Sequence, residues 1–328
     1  MLFRPFPKSS NLSKESDGYL RIFFYFCAKA SLFTNHPTKM KKKLLSLCAS
    51  LLFFHAIQAA NPAIRFKHEA TDTATINNIL IEAAANVKNA RPEQRVAYIA
   101  KMFIDKPYVA GTLEGDTEVL TINMDEVDCT TFIDNVAALA FTLGEGRTSW
   151  RDFVYNLKRM RYYGGEINGY ASRLHYISAW ILDNVHRGNL KEATNSFAEA
   201  EYAVKTLDFI SAHRDKYPAL NDSANLEGIK NMELGYRNHR YPYIKSSRVG
   251  SKGVTSQLRD GDIIAITTKT PGLDVQHMGI ISIDSNGIPH LMHASSAAGK
   301  VVVESAPLAD YFRKNRSATG IRVIRLCE

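Results

Sequence analysis

The sequence predicts an α+β protein, on three observations. Residues 71–105 carry apolar side chains at helical spacing, residues 149–245 are helix-rich and polar, and after Arg248 the chain turns to short β-rich runs separated by Gly, Pro, Asp and Asn. Helices gathered ahead of a run of strands indicate the α+β class.

The chain of 328 residues begins with a segment, 1–39, that precedes a targeting signal. Met40-Lys41-Lys42-Lys43 is a basic n-region, Leu44 to Phe54 an apolar h-region, and Ala56-Ile57-Gln58-Ala59 a small-residue cleavage site. The apolar stretch is shorter than the roughly 20 residues of a spanning helix. Export to the periplasm or the medium is therefore expected, with 40–59 removed, no membrane anchor left, Met40 as initiator and 1–39 as a non-native extension. Cys48 is a poor lipidation site, because Leu47 is bulky and the apolar run continues past it.

The formal charge of +8 points by itself to an anionic partner. Nine of the 41 basic and two of the 33 acidic residues lie in 1–59, so 32 face 31 in the rest, and a nucleic-acid footprint is not expected. Residues 60–328 are enough for one large domain. They retain two cysteines, Cys129 and Cys327. If these pair in an oxidising compartment, neither is free for chemistry.

Along this domain, Ile76, Ile79, Ala83, Val87, Val96, Ile99, Met102 and Phe103 recur at helical spacing until Pro107. A loop of mixed character through Val119–Asn123 leads to Asp128-Cys129, which heads an apolar helix ending near Gly144. Trp150–Tyr163, Ser172–Val185 and Ala193–His213 read as helices. Asp262–Ile266, His277–Ile283, Pro289–Ala294, Val301–Val303 and Gly320–Leu326 read as strands. No internal repeat or low-complexity tract is evident.

A cysteine at a helix N-terminus is placed to become a thiolate, provided that an imidazole lies nearby. A lone cysteine is more often a small buried hydrophobe, so the histidines decide. His277 and His293, in strands far downstream, are candidates for a base and its orienting partner. Alternation puts His290 on the face opposite His293, and the small residues Ala294-Ser295-Ser296 leave room beside His293. A metal hydrolase using His277, His290, His293 or an aspartate is a competing reading, weakened by that alternation and by the lack of a His-Glu-x-x-His helix. A non-catalytic wall-binding module is the other.

Five pieces, in order, resemble the NlpC-type papain-like cysteine peptidases of bacterial cell walls, in particular their N-acetylmuramoyl-L-alanine amidase-like branch. Lys106-Pro107-Tyr108-Val109-Ala110-Gly111 is similar to the Pro-Tyr-Val segment, Asp128-Cys129-Thr130 to Asp-Cys-Ser, and Leu258–Ile264 to the Gly-Asp turn entering the sheet. His277-Met278-Gly279-Ile280 is similar to His-Val-Gly-Ile, and Met292-His293-Ala294 to the strand with the third catalytic residue.

The resemblance implies a papain-like core, with the sheet packed on the nucleophile helix, in a single catalytic domain over 60–328. It also implies Cys129 as nucleophile, His277 as base, His293 as orienter and Tyr108 beside the thiol. The substrate would be peptidoglycan or a muropeptide, and no cofactor or metal is needed. Asp128 either binds the free amine of a peptide stem or caps the helix. About 110 residues of expected helix, around 149–245, replace a short connection of the compact pattern. There Arg173 and Tyr176 are candidates for substrate contact, with helix capping as the alternative.

Overall fold

The computed structural model describes residues 64–115 and 117–328; the expected signal and the segment before it lie outside the described residues. In chain order, one-turn helices aside, the elements are β1 (Ile64–Phe66), α1 (Glu69–Val87), α2 (Pro92–Lys101), β2 (Leu120–Ile122), α3 (Cys129–Gly144), α4 (Trp150–Arg161) and α5 (Ile177–His186). Then come β3 (Leu190–Glu192), β4 (Ala200–Lys205), α6 (Ser223–Leu234), β5 (His239–Lys245), β6 (Ile263–Thr268), β7 (Val275–Ile283), β8 (Pro289–Ser295), β9 (Lys300–Val303), α7 (Leu308–Lys314) and β10 (Ala318–Leu326).

The periodic segment 71–105 is two helices rather than one. Pro92 opens α2 at its first turn, and Arg91 before it is extended, at ψ 154°. A proline disfavours helix at the residue ahead of it and is suited to the first turn of the next helix. The loop expected at 119–123 contains β2, which pairs in parallel with β1.

Eight strands form the main sheet in the order β4-β5-β10-β6-β7-β8-β9, with β3 also pairing β10. Every pairing in it is antiparallel. The five strands expected after Arg248 are β6 to β10. The sheet is covered on both faces. Ile263, Ala265, Met278, Ile280, Met292 and Ala294 join the core shared with the helices, while Ile264, Ile266, Ile281, Leu291, Ile321 and Val323 pack with Leu308 and Phe312 of α7. Burial on both faces explains why these strands read as nearly continuous apolar runs. The buried helix α3 lies against α2, α4, β7 and β8.

The region 149–245 is not wholly helical, which corrects the expectation for it. Ala193–His213 forms no long helix; its middle is β4, paired with β5 from Ala200 to Lys205. Most of β4 is partly or fully exposed, so neither face carries an apolar stripe that would reveal a period of two. Its Ala and Glu favour helix locally, and pairing with β5 overrides them. β3, β4 and β5 extend the sheet beyond β10, on the side away from the histidine strands.

Candidate active site

The site begins with the cap of α3. Asp128 is extended, and its Oδ1 accepts from the backbone N–H groups of Thr130 at 3.0 Å and Thr131 at 2.7 Å, while the Asp128 N–H donates to Thr131 Oγ1. This reciprocal box satisfies donors that a helix start leaves open. It also fixes Cys129 as the first residue of the helix. Cys129 and Cys327 are both free thiols. The Cys129 Sγ lies 3.9 Å from the Thr130 hydroxyl and within reach of the N–H of Met278, the neighbour of His277.

β7 and β8 bring the two histidines together. His277 Nε2 lies 2.6 Å from His293 Nδ1, with the rings edge to face. Gly279 makes this approach possible: a Cβ there would come 2.6 Å from Leu291 Cδ1, 2.8 Å from the Met292 carbonyl oxygen and 3.2 Å from His293 Cβ. His293 is only 3 % exposed. Its Nε2 lies 2.9 Å from Glu304 Oε1, and Tyr311 of α7 stands edge-on to its ring. His290 is held elsewhere, its Nδ1 against the carbonyls of Glu304 and Ala306.

Burial governs the protonation states. It pushes the Cys129 thiol up to about 11, with the Asp128 charge adding to the rise and the Thr130 hydroxyl and Met278 N–H opposing it. It depresses the His277 imidazole to about 3, helped by His293, and lowers His293 against the opposing pull of Glu304. These directions favour a neutral thiol and neutral imidazoles. The helix start alone does not hold a resting thiolate.

Tyr108 forms a parallel bridge with Val127. Its hydroxyl is pushed up first by burial and then by the influence of Cys129 and Asp128. A recess of about 150 Å³ opens at the start of α3, lined by Asp128, Thr130 and Asp134 of the α3 region and by Arg161, Arg173 and Trp180 from the 149–245 region. Arg161 pairs with Asp134 at 2.8 Å, both side chains 3 % exposed. Arg173 pairs with Glu114 at 2.7 Å and Glu118 at 3.5 Å. Asp134 Oδ1 and Trp180 Nε1 are buried without a hydrogen-bond partner.

Tyr176 does not reach the recess, which corrects its candidacy for substrate contact. It is 1 % exposed, its hydroxyl donating to Glu233 and accepting from the Ile210 N–H. Sequence reasoning missed Glu304, Asp134, Arg161 and Trp180. Glu304 follows a β-rich run and carries no motif, and Asp134 was hidden among apolar helix positions. Among the described residues, no group of three or more His, Cys, Asp or Glu side chains is placed to hold a metal.

Residues 98–321 match the profile of the family described as AmiA-like, N-acetylmuramoyl-L-alanine amidase-like. The chain belongs to this amidase-like family. A solved N-acetylmuramoyl-L-alanine amidase from Bacteroides uniformis ATCC 8492 is 38 % identical, with 72 % of this chain and 99 % of that one covered and a TM-score of 0.68. A structure from Bacteroides fragilis, described as that of a candidate xylanase, is 41 % identical over 69 % of this chain and 98 % of its own, TM-score 0.64. Protein LPG0564 from Legionella pneumophila, 22 % identical over 79 % of this chain and 96 % of its own at TM-score 0.62, shares the fold of this amidase-like chain. No curated protein sequence matches.

Proposed function

We propose that this amidase-like chain is an exported cysteine hydrolase with an NlpC-type papain-like core, cleaving an amide bond in peptidoglycan or its fragments. The observation that supports the reading is the free Cys129 thiol at the start of α3, in reach of the Met278 N–H on β7, the strand whose adjacent His277 is paired with His293. The signal sequence at 40–59 supports export to the compartment of that substrate. The relatives named as amidases favour the N-acetylmuramoyl–L-alanine bond.

The chemistry follows from neutral partners. As Cys129 Sγ attacks the carbonyl carbon, its proton passes to His277, so thiolate and imidazolium arise together and their attraction offsets part of the desolvation that kept each neutral. The carbonyl oxygen, now negative, meets the Cys129 backbone N–H and the Tyr108 hydroxyl. The tetrahedral adduct collapses with cleavage of the C–N bond, and His277 gives its proton to the departing amine. A water then transfers a proton to His277 while its oxygen adds to the thioester carbon. Cleavage of the C–S bond releases the acid, and the proton returns to sulfur. A thiol–imidazole pair suits this acyl transfer; glycoside cleavage commonly uses two carboxylates flanking the bond.

The recess raises a second reading, an endopeptidase that cuts further along a stem with a free amine. Oδ1 of Asp128 serves the cap, and Asp134 and Glu114 are paired with Arg161 and Arg173, so a protonated amine would compete with those arginines for the carboxylates of the lining. Cys129→Ala, incubated with purified muropeptides and with free stem peptides and read by mass spectrometry, should give no cleavage while thermal unfolding is unchanged. Wild-type products identify the bond. Full activity of the variant would remove the cysteine mechanism.

A further inference from the structure

We infer that Glu304 is a positioning residue that sets the tautomers of both imidazoles and so determines which His277 nitrogen keeps the lone pair that can take the thiol proton. The inference rests on the reading of Cys129 and His277 as nucleophile and base.

Glu304 follows β9, and its backbone N–H donates to the Leu291 carbonyl at 2.9 Å, tying it to β8. Its carboxylate Oε1 lies 2.9 Å from His293 Nε2. An ionised carboxylate only accepts hydrogen bonds, and a neutral imidazole has one donor and one acceptor nitrogen. His293 Nε2 must therefore carry the proton, which leaves its Nδ1 as acceptor. That Nδ1 faces His277 Nε2 at 2.6 Å, so His277 Nε2 must donate. The lone pair of neutral His277 is then confined to Nδ1, the nitrogen left to take the Cys129 proton.

The opposite arrangement is excluded by the same contact. If His293 carried its proton on Nδ1, its Nε2 lone pair would face a carboxylate oxygen, two acceptors at hydrogen-bond distance. Without Glu304 both tautomers are open to the pair. Burial depresses both imidazoles, and neither can resolve the choice by taking a second proton. The carboxylate also faces the positive charge that His277 acquires during turnover, through the intervening His293. Tyr311 closes the other side of the His293 ring.

The test combines tautomer spectroscopy with kinetics. Nitrogen chemical shifts of the histidines in wild-type protein near neutral pH should show His277 and His293 both protonated at Nε2; a proton on His293 Nδ1 would overturn the inference without any variant. Glu304→Gln, whose amide can either donate or accept, should lose the single-tautomer signature. Its kcat should fall about tenfold or more, as removal of an orienting partner does, with KM within about twofold. Glu304→Asp should recover part of the rate. Wild-type kcat in Glu304→Gln, with melting confirming the fold, would sink the inference while the loss of activity in Cys129→Ala still upheld the cysteine mechanism.

Discussion

Two demands meet at Asp128. Its Oδ1 takes two backbone N–H groups and the Thr131 hydroxyl, and it lines the recess at the start of α3. Substitution separates the two roles. Asp128→Ala should cost about 1 kcal/mol in urea unfolding through loss of the cap. Asp128→Asn keeps a capping oxygen and removes the charge, so stability should stay within about 0.5 kcal/mol. If the recess binds an ammonium, the Asn variant raises KM for stem peptides with a free amine and leaves it unchanged for N-acylated ones. Equal effects on both substrates would leave the aspartate as a cap alone. At this scale much was legible, since Asp128-Cys129 announced a helix start by residue type. The state of the thiol was not, because burial comes from elements distant in sequence.

Strands β7 and β8 carry the geometry of the histidine pair, and Gly279 leaves no room for a side chain between them. In Gly279→Ala the new Cβ would meet the Met292 carbonyl at 2.8 Å and His293 Cβ at 3.2 Å. A backbone oxygen inside a sheet has little freedom to move aside, so the variant should lose about 1–3 kcal/mol, as overpacked sites do. It should also lose most of its activity, because His293 is displaced. Wild-type melting and turnover together would show that the strands part more easily than argued. Alternation along the strands separates His293 from His290, and their contacts differ accordingly: His293 meets His277, and His290 is held by carbonyls. β4 was illegible for the complementary reason. With both faces partly exposed, it carries no burial pattern, and only its pairing with β5 makes it a strand.

Acid stability belongs to the whole molecule, because its buried imidazoles lie on different elements. His277 and His175 are depressed to about 3, first by burial, and His293 and His239 are lowered for the same first reason. A group with a depressed folded pKa stabilises the fold above its unfolded value, and that contribution is lost as pH falls toward the folded one. Buried Asp134, Asp262 and Glu118 are shifted up by burial, and relief of that penalty on protonation opposes the loss further down. Between about pH 6.5 and 5 the imidazoles dominate. The melting temperature should therefore fall by several degrees across that window. In the same window kcat/KM should hold on the acid side longer than for an ordinary histidine base, since His277 stays neutral; a limb near pH 6.5 would contradict its burial.

Local residue chemistry determined much of this protein in advance. The C-terminal run of five strands, the capped helix start at Cys129 and the two strand histidines can be read from periodicity and residue type, because each depends on neighbours within a few positions. Tertiary structure alone decided the rest. It supplied Glu304, 11 residues from the His293 that it contacts, and the Asp134–Arg161 pair, 27 residues apart. It also placed three strands of the 149–245 region on the edge of the sheet and moved Tyr176 into the core. Each of these depends on long-range packing and desolvation, and neither leaves a pattern along the chain.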